Sequence, residues 1–318
     1  MGKPIISVII PAYNHERWLS ATLESILEQT LTEWEVVLVD DGSTDGTLQI
    51  AKSYQVIFGR KLQILSQVNS GICRALNVGV RASRASLIAI IASDDVMLPQ
   101  RLALQVEAFN ANPNAAIIHG GVLRIDEHGN VIKDMRGSYK PARGACFNDF
   151  MFGRVGVCAP SIAFRRTLWE DLGGFNEKYH TEDMPFLLEA TFRGYIIEYV
   201  NDPIACWRDT PGSIGKTSSW LVMESIALRE HYVPKLPTEL RKPALAYWHR
   251  YEFRMAALQG NWQAAICRIV ESGCSGYLHK DLPHYSLSIA AAIARNILPL
   301  PLYRKLAEAF RTRIGKSN

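Results

Sequence analysis

The feature that most constrains this chain is a set of apolar runs that are continuous rather than alternating. Ile5–Ile10, Glu35–Val39, Leu62–Leu65, Leu87–Ala92 and Ala115–His119 are short and rich in β-branched residues. A strand with one wet face alternates apolar and polar side chains, whereas a strand covered on both faces does not. Between the runs lie segments with helical spacing: Trp18–Gln29, Thr47–Tyr54, Ile72–Ala82 and Pro99–Phe109. This alternation predicts βαβ units, and so an α/β fold with a doubly wound, mostly parallel sheet flanked by helices. Right-handed crossovers place the strand-end loops on one edge of such a sheet. A strand order of 3-2-1-4 brings Pro11–Asn14, Asp40–Ser43 and Ser93–Asp95 together at the crevice where these sheets bind ligands.

Two of those loops carry adjacent carboxylates. Asp40-Asp41-Gly42-Ser43 follows one apolar run and Asp94-Asp95 follows another. Paired carboxylates at the end of a buried strand repel each other and resist desolvation, so a ligand, a metal or backbone donors must offset the cost. Asp-Gly-Ser is also ordinary turn chemistry, and Asp94-Asp95 could cap the helix at Pro99.

Past residue 120 the pattern changes. Leu123–Asp126 and Val131–Lys133 read as a hairpin, and Arg136–Arg143 as a mobile loop. Ser161–Phe164, Tyr195–Val200 and Ile204–Arg208 read as strands, with a helix over Pro185–Arg193. Beyond Ser218 the spacing is helical at Leu221–Tyr232, Ala244–Leu258, Trp262–Glu271, Leu287–Leu298 and Leu302–Arg313. The expected division is 1–215 for the α/β domain and 216–318 for a mainly helical C-terminal region.

Net charge is +4, but residues 280–318 alone carry +5, which leaves −1 for the rest. A near-neutral body argues against nucleic acid as a partner. The six cysteines form no Cys-x-x-Cys pair, as expected of reduced thiols in the cytoplasm. Met1-Gly2-Lys3-Pro4 leads straight into a strand, so no signal peptide is expected, and no run is long enough to span a bilayer.

Read in order, the motifs are Ile5-Ile6-Ser7-Val8-Ile9-Ile10-Pro11-Ala12-Tyr13-Asn14, Asp40-Asp41-Gly42-Ser43, Asn69-Ser70-Gly71 with Arg74 and Asn77, Ser93-Asp94-Asp95, Gly173-Gly174-Phe175 and Glu182-Asp183. Together they resemble the inverting family 2 nucleotide-sugar glycosyltransferases of GT-A fold, of the type that builds bacterial surface polysaccharides. The resemblance covers roughly residues 4–215. It implies a nucleotide-sugar subsite drawn from Pro11, Tyr13, Asn14, Asp40, Asp41, Ser43, Asn69, Arg74 and Asp94. Tyr13 can cover an aromatic base, and Arg74 can reach the base or the diphosphate. Asn14 and Asn69 equally suit turns. The resemblance assigns Mn²⁺ or Mg²⁺ to Asp95 with Asp94, where hard oxygen ligands suit such ions. It assigns the base that deprotonates the acceptor hydroxyl to Asp183, with Glu182 orienting the acceptor or sugar. Pro185 also makes Asp183 a natural N-cap.

The implied activity is metal-dependent, inverting transfer from a nucleotide-sugar, a UDP-sugar by expectation, to a saccharide or lipid-linked saccharide hydroxyl. Two alternatives stand beside it. A sugar nucleotidyltransferase should carry a Gly-rich phosphate loop after the first strand, where this chain has Pro11-Ala12-Tyr13-Asn14-His15. A non-catalytic nucleotide-sugar-binding module would leave no turnover. Two positions depart from the family. Ala92 stands where many members have a further Asp, and Thr210 stands where many have a His, with Asp209 or His231 as conjectural replacements. Finally, Leu302, Leu306, Phe310 and Ile314 form one apolar helix face with basic residues off it. Such a helix suits peripheral contact with the inner face of the cytoplasmic membrane, packing on the catalytic domain, or an oligomer contact.

Overall fold

The computed structural model describes residues 3–210 and 220–258. The helices expected at Trp262–Glu271, Leu287–Leu298 and Leu302–Arg313 lie outside these residues. The chain divides into two compact units, Met1–Ser213 and Ile214–Asn318.

The first unit is built on one sheet. Its strands are β1 (Ile6–Ala12), β2 (Trp34–Asp40), β3 (Leu62–Ser66), β4 (Leu87–Ile90), β5 (Val96–Met97), β6 (Ala115–Ile125), β7 (Val131–Asp134), β8 (Ala163–Arg165) and β9 (Ile196–Arg208). Their order is β3-β2-β1-β4-β8-β6-β9-β5, with β7 paired to β6. The first four strands are parallel, in the 3-2-1-4 order that the apolar runs predict. Their burial explains why those runs do not alternate: all seven residues of β2 and all four of β4 are buried. The other half is mixed. β8 runs antiparallel to both β4 and β6, and β6 runs parallel to β9.

Helices α1 (Leu19–Leu27), α2 (Thr47–Phe58), α3 (Ile72–Ala82) and α4 (Arg101–Ala111) connect the strands. Each buries one stripe. In α1 that stripe is Leu19, Leu23 and Ile26, all at 0% exposure, spaced to share one helix face. Burying one such side chain contributes about 1.5–3 kcal/mol. Three further helices follow: α5 (Phe147–Met151), α6 (Arg166–Leu172) and α7 (Asp183–Phe192).

The second half departs from its sequence pattern in three places. β6 is one strand of 11 residues, joining the expected fifth strand to the hairpin arm. β9 is one strand of 13 residues that runs through Asn201-Asp202-Pro203 instead of breaking there. The cause is Gly120-Gly121. A Cβ on Gly120 would meet Ile204 Cδ1 at 2.6 Å, and one on Gly121 would meet the Asp202 carbonyl at 2.8 Å. Lacking a Cβ, both let β9 lie close across a register shift. The 136–143 segment, expected as a mobile loop, is tied by Ala142 N–H to Gly156 O at 3.1 Å and Gly156 N–H to Lys140 O at 3.0 Å.

In the second unit, α8 (Trp220–Tyr232) and α9 (Thr238–Leu258) are the described helices. No helix among the described residues is long and apolar enough to cross a membrane.

Candidate active site

β1 and β2 end level with one another, since Ala12 pairs with Asp40, and β4 ends beside them where Ile90 pairs with Ile9, three residues short of the end of β1. Three loops therefore meet at one edge of the sheet. The turn after β4 carries Ser93-Asp94-Asp95. Its backbone is fastened from two sides. The Thr22 hydroxyl of α1 lies 3.0 Å from Ser93 O and 2.7 Å from Asp95 O. Arg208, at the end of β9, donates its Nε–H to Asp94 O at 2.7 Å and its backbone N–H to Asp95 Oδ1 at 2.8 Å. Asp95 is 3% exposed. Burial, and the charge of Asp94 beside it, push its pKa well above the usual carboxylate range. Beneath the turn, the fully buried Arg101 donates to the carbonyls of Ile90, Pro160 and Ile162. Its own pKa falls to about 9 because it is desolvated. His15 stands on the outer side, with Nδ1 2.7 Å from Ser93 Oγ and 3.8 Å from Asp94 Oδ1.

The loops after β1 and β2 are stitched to each other. Asn14 sits in the left-handed region at φ 54°, donates its N–H to Ser43 Oγ at 3.1 Å, and accepts from Thr44 N–H at 2.8 Å. Asp40 accepts from Ser43 N–H at 3.3 Å and Ser66 Oγ at 3.2 Å. Asp41 accepts from Gln67 Nε2 at 2.7 Å, Ser70 N–H at 2.9 Å and Gly71 N–H at 2.9 Å. Asp41 thus holds the chain at the start of α3, where a carboxylate satisfies orphan N–H groups and the helix dipole favours it. Gly42 permits this closure: its φ is +74°, and a Cβ there would lie 2.8 Å from Asn69 N. Asp40 and Asp41 are buried, whereas Tyr13 (45% exposed), Asn69 and Arg74 face solvent. Pro11 is part-buried within β1.

α3 also links this region to α7. Asn77 is buried and uses its whole amide. Nδ2 donates to Phe175 O and Glu177 Oε1, each at 2.9 Å, and Oδ1 accepts from Phe175 N–H at 2.8 Å and Trp169 Nε1 at 3.1 Å. Cys73 Sγ lies 3.4 Å from Thr181 O. Asp183 is not the N-cap of α7. Glu182 holds that position, and Asp183 is the first helical residue, its Oδ1 accepting from Met184 N–H at 2.7 Å. Cys158 lies in the segment before β8. Burial raises its thiol pKa to about 11, the Tyr139 hydroxyl hydrogen-bonds to it, and the charges of both Asp95 and Asp183 reach it.

Among the described residues, no three or more His, Cys, Asp or Glu side chains form a group that could hold a metal ion. Thr210 is buried, and Asp209 is ion-paired with Arg124. His231 belongs to the second unit, 2.6 Å from Lys235 Nζ. The contacts of Arg208, Thr22, His15, Arg101, Tyr139 and Cys158 left no mark in the sequence, because most of them join residues tens of positions apart.

Residues 7–173 match the model of glycosyl transferase family 2. The chain belongs to that family. It is 31% identical to the putative glycosyltransferase EpsE of Bacillus subtilis over 206 residues, spanning 61% of this chain and 70% of that protein. It is 37% identical to a chondroitin synthase of Escherichia coli over 174 residues, 55% of this chain and 24% of that enzyme. Two solved structures share the fold. S. aureus TarS 1–349, in complex with UDP-GlcNAc, superposes with a TM-score of 0.55 at 19% identity, covering 85% of this chain and 92% of that one. The mannosyltransferase PcManGT from Pyrobaculum calidifontis, in complex with GDP-Man and Mn²⁺, gives 0.57 at 21% identity, covering 96% and 83%. This chain is therefore a glycosyltransferase of α/β, GT-A type, and the sugar nucleotidyltransferase alternative falls away.

Proposed function

We propose that this glycosyltransferase moves a sugar from a UDP-sugar to the hydroxyl of a saccharide or lipid-linked saccharide, with inversion at the anomeric carbon. One observation carries the reading: the buried Asp95 and its neighbour Asp94 lie in a turn fastened after β4, at the sheet edge that also carries the Asp40-Asp41 loop. An in-line displacement needs its two poles close together, the leaving phosphate on one face of the sugar and a base on the other.

In this reading Tyr13 covers the base, Asp40 accepts from the nucleoside and Arg74 steadies the diphosphate. Asp183 accepts the acceptor's hydroxyl proton. The acceptor oxygen bonds to the anomeric carbon as the bond to the phosphate oxygen breaks, and the electron pair leaves with the nucleoside diphosphate. Glu182 orients the acceptor or the sugar.

The donor set at Asp94 and Asp95 fits Mg²⁺ or Mn²⁺. Both side chains offer hard oxygens, and Asp95 is desolvated beside another carboxylate, which outweighs the nearby charges of Arg208 and Arg101. These ions are commonly held by one or two carboxylates with substrate phosphates and water completing the shell, so a third protein ligand at Thr210 is not required. When bound, the ion supplies Lewis acidity to the departing diphosphate.

The test is release of nucleoside diphosphate from a panel of UDP- and GDP-sugars, with and without Mn²⁺. Metal-stimulated release from a UDP-sugar supports the reading. Tight nucleotide binding with no release from any donor defeats it, as does release indifferent to chelation.

A further inference from the structure

The carboxylate turn lies inside a closed ring of contacts that the reaction scheme leaves unused. Arg208 is 5% exposed and donates in three directions. Its Nε–H goes to Asp94 O, its Nη1 reaches Asp126 O at 3.1 Å and Glu127 O at 3.3 Å, and its backbone N–H holds Asp95 Oδ1. Asp126 and Glu127 form the turn between β6 and β7. That turn is clasped again from the start of α1, where Trp18 Nε1 donates to Glu127 O at 3.3 Å and Arg17 pairs with Glu127 Oε2 at 2.6 Å. The ring closes through His15, which packs edge-on against Trp18 with centroids 5.6 Å apart and touches Ser93.

Two properties of Arg208 make it more than a surface tie. Its guanidinium is desolvated against backbone carbonyls, a cost sustained only where the geometry is fixed. Its planar fork addresses acceptors in two directions at once, which the point charge of a Lys cannot do. It also binds the two adjacent aspartates differently, Asp94 by its carbonyl and Asp95 by one carboxylate oxygen. Asp95 Oδ2 and the Asp94 carboxylate make no hydrogen bond to a described donor other than the approach of His15.

We propose that Arg208 is a positioning residue. It fixes the Asp94-Asp95 turn in the form that accepts a divalent cation with the donor diphosphate, and it makes the β6–β7 turn part of that support. This rests on the metal-dependent reading above. Removing the outer partner of a metal-binding group typically lowers metal affinity by about tenfold to a hundredfold.

The experiment is calorimetry of UDP binding to the full-length protein with and without Mn²⁺, for wild type, Arg208→Lys and the double variant Arg17→Ala/Trp18→Phe. For Arg208→Lys we expect metal-free UDP affinity to be retained and the Mn²⁺ enhancement to fall about tenfold or more. The double variant, which loosens the clasp on the β6–β7 turn and leaves Arg208 in place, should lose less in the same direction. A folded Arg208→Lys protein with the wild-type enhancement overturns the proposal. If that variant does not fold, an undiminished enhancement in the double variant overturns it. A wild-type protein on which neither UDP nor GDP gains affinity from Mn²⁺ defeats the metal reading itself, a distinct result.

Discussion

Replacing Asn77 by Ala should damage this enzyme more than any exposed substitution near the crevice. The side chain is 2% exposed, and three of its four hydrogen bonds are to buried partners: Phe175 O, Phe175 N–H and Trp169 Nε1. Deleting the amide leaves those partners without a mate, at a cost of about 1–3 kcal/mol each. The low end alone gives about 3 kcal/mol, a large share of the ~5–15 kcal/mol typical of a folded domain. In a domain of this size, 1 kcal/mol moves the midpoint by about 2–4 °C, so the melt should fall by about 6–12 °C. Gly174 belongs to the same device. Its φ is +91°, and a Cβ would lie 2.8 Å from Asn77 Oδ1. Because the Gly173–Phe175 turn leads toward Glu182-Asp183, sugar transfer measured well below the melt should fall as well. Scanning calorimetry of wild type and Asn77→Ala decides the matter. A midpoint within about 2 °C of wild type would show that water or repacking satisfies all three groups, and the inference would be wrong.

Two other predictions follow from buried polar groups. His119 is fully buried, bonds only through Nε2 to Ala142 O at 2.9 Å, and has its pKa lowered from 6.5 to about 4 by desolvation. A base depressed on folding is protonated first in the unfolded chain, so its contribution is complete above about pH 6.5 and is lost as pH falls toward about 4. The full span is about 3 kcal/mol; urea midpoints from pH 7 to 4 should show it, and His119→Gln should flatten the slope. Asp41→Asn leaves one acceptor oxygen for three donors, so it should destabilise the fold by about 1–3 kcal/mol and weaken UDP binding only as far as the 67–71 loop moves. An Asp41→Asn protein of wild-type stability that has lost UDP binding outright would instead make Asp41 a direct ligand contact.

The parallel half of the sheet was legible because burial on both faces writes itself into composition: β4 is wholly apolar and β2 is apolar apart from Glu35 and Asp40. The strand-end loops were legible for a related reason, since the strands deliver Asp40 and Asp94 to one edge. The antiparallel half was not. Gly120-Gly121 and Asn201-Asp202-Pro203 look like breaks in a local reading, yet their small and irregular residues are what let β6 and β9 approach. The site was partly legible for a different reason. Asp41 stands out as a carboxylate, but its three donors come from residues 67–71, and only the folded chain shows it holding a loop. Arg208 reaches Asp94 across 114 residues, and Thr22 reaches Asp95 across 73. Contacts between such distant residues leave no periodicity in the sequence.

The central claim divides labour between two carboxylates, Asp95 for the cation and diphosphate and Asp183 for the acceptor proton. The most direct measurement compares Asp95→Ala with Asp183→Asn in two assays on the same protein: Mn²⁺-dependent UDP binding and sugar transfer. Both variants should lose transfer, while only Asp95→Ala should lose the Mn²⁺ dependence of binding. Full transfer by Asp183→Asn, or an intact Mn²⁺ effect in Asp95→Ala, would contradict the account.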